Sequence, residues 1–269
     1  MIGRAIAALD PFPRGWLRRT WGLADIHTRQ KWSVLWPHLA ALPERGIRLL
    51  DAGCGVGTWS FELAALRPNW TIVGVDKDGA AIQTAERTRE RLAIPNVSFA
   101  EADFLGPESP GRFHVVLSVA SAHYLAEQGR GPELFGRFRE WLEPDGWLFL
   151  IAPRRARDVG FAPWLARPAG HPVFTGEELT LLCHQSSLRV DSLTGCVGPL
   201  ATLAKQLYWE AQRRSVWLNR LLYPVQWTLS ALDSHLGGRA STRTMMLLLV
   251  ARAASESSSD PANALLLTS

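Results

Sequence analysis

The sequence predicts an α/β fold: a doubly wound, mostly parallel sheet with helices on both faces. Three observations predict it. Short apolar runs of strand length recur and end in acids, as in Ile47–Leu50 before Asp51, Thr71–Val75 before Asp76, and Val97–Ala100 before Glu101 and Asp103. Helical stretches separate these runs, and strands that alternate with helices need crossover connections, hence parallel pairing. Three alternating glycines, Gly53, Gly55 and Gly57, stand between the first strand and the next helix, where open α/β sheets carry ligand-binding turns.

The elements follow in order. Residues 16–42 read as one or two helices ahead of the first strand, closing near Pro43-Glu44-Arg45-Gly46. After the glycines, Trp59, Phe61, Leu63, Ala64 and Leu66 open a helix. Thr71–Asp76 is the second strand, Asp78 is placed to cap a helix running to Arg91, and Ile94-Pro95-Asn96 ends that unit. The third strand starts at Val97, Phe113–Ala120 is the fourth, and Pro132–Leu142 is a helix. Trp141–Ile151 supplies a turn and the fifth strand, and the proline- and arginine-rich stretch 152–173 reads mostly as loop. Thr175 with Glu177 and Glu178 marks a helix start, running to about Ser186. Leu188–Val197 and Thr242–Ala253 are the sixth and seventh strands. The span between them is too long for a turn, so residues 199–237 read as a helical insertion. The boundaries are therefore 1–46 (N-terminal helices), 47–198 (α/β core), 199–237 (insertion), 238–253 (last strand) and 254–269, a serine-rich tail expected to be disordered.

The glycine segment is built for close approach of backbone to a ligand, because glycine has no Cβ and tolerates positive φ. The helix that follows offers N–H groups and a positive dipole end to an anion such as a carboxylate. Two nucleotide patterns fail here. A dinucleotide turn needs a third glycine at position 58 or 60, which are Thr58 and Ser60, and no Gly-Lys-Ser/Thr phosphate loop is present. The spacing Asp51-x-Gly53-x-Gly55-x-Gly57 instead resembles motif I of the class I S-adenosylmethionine-dependent methyltransferases, and the acids ending the next strands extend the resemblance over roughly residues 47–153.

That resemblance implies a Rossmann-like, seven-stranded sheet, S-adenosylmethionine as cofactor, and methyl transfer as the reaction. It implies that Asp51, Gly53, Cys54, Gly55 and Gly57 form the cofactor loop. Asp76 with Lys77 would meet the ribose hydroxyls, Asp103 and Phe104 the adenine, and Ser118 the end of the fourth strand. The first helices would act as a lid, and with the insertion they would build the acceptor pocket. His123 and Tyr124 follow the fourth strand at the edge facing the ligand crevice. Imidazole titrates near neutral pH, so His123 is the candidate base and Tyr124 a candidate for orienting an acceptor. Enzymes that methylate exocyclic amino groups of nucleic-acid bases carry Asn/Asp-Pro-Pro-aromatic at the fourth strand, whereas this chain has Ser118-Val119-Ala120-Ser121. The expected acceptor is thus a small, hydrophobic or lipid-like molecule. An RNA or protein acceptor using the basic flanks, or a non-catalytic cofactor-binding role, are the alternatives.

Composition sets further bounds. The 269 residues are 47% hydrophobic and 20% charged, which suits a globular chain with a sizeable core. Three cysteines, Cys54, Cys183 and Cys196, do not make a disulfide framework, and no zinc-type spacing occurs, so no metal is expected. Neither a signal peptide nor a transmembrane run is evident, which predicts a cytoplasmic protein. The net charge of +4 belongs to the flanks: residues 1–46 hold seven Lys/Arg against three Asp/Glu, and residues 199–253 hold seven against two. These flanks also hold seven of the twelve tryptophans. Within the insertion, Leu218, Leu221, Leu222, Val225, Leu229, Leu232 and Leu236 recur at helical spacing, and Pro224 is expected to kink or divide the helix. That stripe is expected either to pack on the core or a second subunit, or to form a peripheral membrane contact or a seat for a greasy substrate.

Overall fold

A computed structural model describes residues 26–107, 109–155, 174–235 and 244–254. Residues 1–25, most of the 152–173 stretch and the serine-rich tail, on which several sequence expectations fall, lie outside the described residues.

In chain order the elements are α1 (Ile26–Ala40), β1 (Arg48–Ala52), α2 (Thr58–Leu66), β2 (Thr71–Asp76), α3 (Gly79–Leu92), β3 (Val97–Glu101), β4 (Phe113–Val119), α4 (His123–Glu127), α5 (Gly131–Trp141), β5 (Leu142–Pro153), α6 (Gly176–Gln185), β6 (Leu188–Cys196), α7 (Pro199–Arg214), α8 (Val216–His235) and β7 (Met246–Ala253). The strands form one sheet in the order β3-β2-β1-β4-β5-β7-β6. β1 to β5 pair in parallel, and β7 runs antiparallel between β5 and β6. The order reverses between β1 and β4, so the crevice at their carboxyl ends is the natural ligand site.

Both faces of the sheet are covered, and the central strands accordingly read as unbroken apolar runs. One face buries Leu49, Ile72, Val115, Leu117 and Phe149 against Trp32, Leu35 and Leu39 of α1 and Phe61 and Leu63 of α2. The other buries Leu50, Val116, Leu148 and Leu150 against Phe135, Phe138 and Trp141 of α5 and Leu179 of α6. Caps follow the sequence signals. Asp78 accepts from the N–H groups of Ala80 and Ala81, and Thr175 with Glu178 completes a capping box.

The insertion is helical, as expected, but two details differ. The chain breaks at Ser215, in extended conformation (φ −166°, ψ 134°), and α8 continues through Pro224. A proline near the middle of a helix costs a hydrogen bond, yet Ser215 already provides the division between the two helices. The leucine stripe is only partly covered: Leu218 and Leu222 are half-buried, Leu229 packs beside Ala204 and Tyr223, and Leu236 lies outside the described residues. Leu221, Val225 and Leu232 face outward, while Asn219, Tyr223, Gln226, Ser230 and Asp233 face inward. The polar side chains decide this orientation. Gln30 of α1 donates to Ser230 Oγ at 3.0 Å, Gln226 donates to Asn219 at 3.0 Å, and Asp233 accepts from the N–H groups of Gly198 and Leu200 at 2.9 and 3.0 Å. Asp233 thus caps α7 from α8, placing a carboxylate at the positive end of the helix dipole.

Candidate functional site

The site is built from the ends of β1 to β4. β1 stops at Ala52, and Gly53, Gly55 and Gly57 all take positive φ, of 82°, 53° and 79°. At Gly53 the need is also steric, since a Cβ there would lie 2.3 Å from Ser121 Cβ. Ser121 Oγ donates to the Ala52 carbonyl at 2.9 Å, and Ser118 Oγ lies 2.7 Å from Ser121 Oγ. Ser121 has one hydroxyl hydrogen, so Ser118 is the donor in the second bond. This chain ties the end of β4 to the glycine turn, and Ala120 between them is held at φ 57°.

The amides of the turn itself are already spent. The amides of Gly53 and Cys54 donate to the Val75 carbonyl at 2.8 and 3.1 Å, and that of Gly57 donates to Cys54. The amide of Gly55 donates to Asp76 Oδ2 at 2.8 Å. The glycines therefore supply shape and clearance more than donors. Asp51 is buried beneath the turn, where its Oδ2 accepts from Ser60 Oγ at 2.6 Å. Burial pushes its carboxyl up to about 6, against the opposing pull of the Ser60 hydrogen bonds.

Above the turn lies a cavity of about 210 Å³. Of the residues singled out from sequence, Gly53, Asp76, Lys77, Asp103, Phe104 and Tyr124 line it together. Asp51, Cys54, Gly55, Gly57, Ser118 and His123 are not among its lining residues. Asp76 is fixed by two backbone donors, Gly55 to Oδ2 and Asp78 to Oδ1 at 3.0 Å, which leaves the remaining lone pairs of both oxygens for hydroxyl donors. Asp103 accepts from the Leu105 N–H at 3.0 Å, and Phe104 is set edge-on to Trp141 at 5.9 Å. Sequence reasoning gave no role to Ala102, Ser121, Leu125, Gln128 or Arg130, which complete the lining. Arg130 makes a bidentate pair with Glu133, both bonds 2.9 Å. The usable signal was position alone, since four of these five follow β4 directly.

His123 and Tyr124 begin α4. Tyr124 stands half-exposed at the cavity, whereas His123 is buried with its ring 4.1 Å from that of Tyr124. All three cysteines are buried, which disfavours the thiolate. Burial pushes Cys183 and Cys196 up to about 12, and burial with the charges of Asp51 and Asp76 also raises Cys54. Among the described residues no group of His, Cys, Asp and Glu is arranged to hold a metal, and no helix is long and apolar enough to cross a membrane.

A family model described as "Methyltransferase domain" matches residues 43–184, over half of the chain, and the chain belongs to that family. The release factor glutamine methyltransferase of Escherichia coli (strain K12) is 34% identical over 90 residues, covering 34% of this chain and 32% of that protein. The trans-aconitate 2-methyltransferase of Deinococcus radiodurans is 31% identical over 115 residues, covering 42% of this chain and 41% of that protein. The chain thus spans about a third to two fifths of the length of these curated relatives. Among solved structures, a putative sarcosine dimethylglycine methyltransferase from Galdieria sulphuraria has a TM-score of 0.60 at 13% identity, covering 89% of this chain and 97% of that one. At that identity the likeness establishes a shared fold.

Proposed function

We propose that the chain is an S-adenosylmethionine-dependent methyltransferase acting on a small, hydrophobic or lipid-like acceptor. The observation that carries the reading is the cavity at the strand-order reversal, where Asp76 and Asp103 project from the ends of successive strands beside Phe104. Those residues fit the cofactor. Asp76, oriented by two amides, accepts from a ribose diol, Asp103 accepts from an exocyclic amino group, and Phe104 offers a ring to a purine. Gly53, with no Cβ, lets Ser121 and the Phe104 ring close in on the turn at the cavity wall. The cofactor supplies an electrophilic methyl group. The chain's own contribution is alignment and exclusion of water. Tyr124, at the mouth, is placed to orient the acceptor, and His123 behind it is the candidate for moving a proton.

Replacing His123 by alanine is expected to lower turnover by roughly 10²-fold or more, as loss of a general base does, with cofactor affinity nearly intact. Equal turnover removes the residue from the chemistry. The acceptor is found by incubating the chain with methyl-labelled cofactor and separate lipid, small-molecule and protein fractions. Label in the lipid or small-molecule fraction supports the reading. The segment shared with the release factor enzyme favours one alternative, a protein acceptor, for which the label would appear on protein instead. No label in any fraction would contradict enzyme activity.

A further inference from the structure

We propose that the outward face of α7 and α8 is an attachment site for an anionic lipid surface. The inference goes beyond methyl transfer, and its test reads binding without turnover.

The face is apolar by construction. Helical residues 3 and 4 apart share a side, and Asn219, Tyr223, Gln226, Ser230 and Asp233 follow that spacing on the buried side of α8. The opposite side carries Trp217, Leu221, Val225 and Leu232, which are 73, 75, 50 and 43% exposed. Rotating α8 to hide them would break the bonds of Ser230 to Gln30 and of Asp233 to the start of α7 and would strand a buried carboxylate. The polarity is thus inverted relative to a helix that buries its apolar stripe against its own core. Of the other exposed residues described in α8, Pro224, Thr228 and His235, none is a carboxylate or a permanent cation. Thr228 turns its hydroxyl back onto the Pro224 carbonyl at 2.9 Å, which lowers its demand for water.

The charge at the edge of this face selects the occupant. Arg213 and Arg214 end α7, with side chains 74 and 70% exposed, and both pair with the single carboxylate of Glu210. Trp209, 56% exposed, and Trp217 flank them in sequence. The other acid of the insertion, Asp233, is buried in the cap. A second copy of this face would bring two more guanidinium groups and no free carboxylate. An anionic headgroup layer supplies the missing counter-charge, while leucine and tryptophan enter the headgroup–acyl boundary.

The full chain is tested by flotation with vesicles of phosphatidylcholine alone and of phosphatidylcholine with phosphatidylglycerol. Binding is expected to the anionic vesicles and to weaken in 0.5 M salt. Removing Arg213 and Arg214 (R213A, R214A) should weaken it roughly fivefold for each arginine. Leu221→Ser with Val225→Ser should weaken it at least tenfold. These positions face solvent, so circular dichroism and melting temperature should be unchanged, which separates lost binding from lost fold. The proposal is overturned by no association with anionic vesicles, by binding that the variants leave intact, or by a dimer in solution that the leucine and valine variants convert to monomer.

Discussion

Asp51 gives the most quantitative handle on the structure. It is buried under the glycine turn, and its carboxyl is raised from an ordinary 3.8 to about 6. A raised carboxyl means that the folded state holds its proton more tightly than the unfolded state. Its contribution to stability is fully present below about pH 4 and is lost as the pH rises to about 6. The separation, at about 1.36 kcal/mol per pH unit, amounts to roughly 3 kcal/mol. Asparagine at this position does not titrate, and its carbonyl can still accept from Ser60. The stability of Asp51→Asn relative to the parent should therefore shift toward the variant by about 3 kcal/mol between pH 2 and pH 8, most of it between pH 4 and pH 7. In melting temperature that is roughly 6–12 °C for a chain of this size. Urea unfolding at a series of pH values reads the shift directly, and any constant penalty of the amide cancels in the difference. A gap between the two proteins that stays constant across this window would refute the burial argument for Asp51.

Two other substitutions probe the local geometry. Gly53→Ala places a Cβ 2.3 Å from Ser121 Cβ at a φ of 82°, so it should cost roughly 2–4 kcal/mol in thermal or urea unfolding. Adding Ser121→Gly should recover part of that loss, and a full, unrecovered loss would mean that the contact is not its source. Asp233→Ala removes the cap on α7 and leaves the Gly198 and Leu200 amides without their carboxylate, at a cost of about 2 kcal/mol. If unfolding is unaltered, the two helices are not held by that cap.

The order of strands and helices was legible because the core is buried on both faces, so its strands read as apolar runs punctuated by acids and caps. Asp78 and Thr175 announced their helices by residue type alone. Asp76 and Asp103 were legible as candidate site residues because acids stand at or just past the carboxyl ends of parallel strands, and both line the cavity, although Glu101, in a like position, does not. What sequence could not show is where hydrogen bonds are already spent. The Gly53, Cys54 and Gly55 amides are satisfied by β2 and by Asp76, which depends on the packing of two strands. The orientation of α8 was hidden for a related reason. A leucine stripe signals burial by default, and only the partners of Ser230 and Asp233, supplied by α1 and α7, reverse it. Ser121, Gln128 and Arg130 carry no motif and became visible only through the cavity that they line.

Isothermal titration calorimetry of the full chain with S-adenosylmethionine and with its demethylated product, compared with Asp76→Ala, decides whether the cavity is the cofactor site. Saturable heat in the parent and at least tenfold weaker binding in the variant, with circular dichroism showing the variant still folded at the assay temperature despite the two amide bonds it loses, is the expected result. No heat in the parent, or equal affinity in the two, would contradict it.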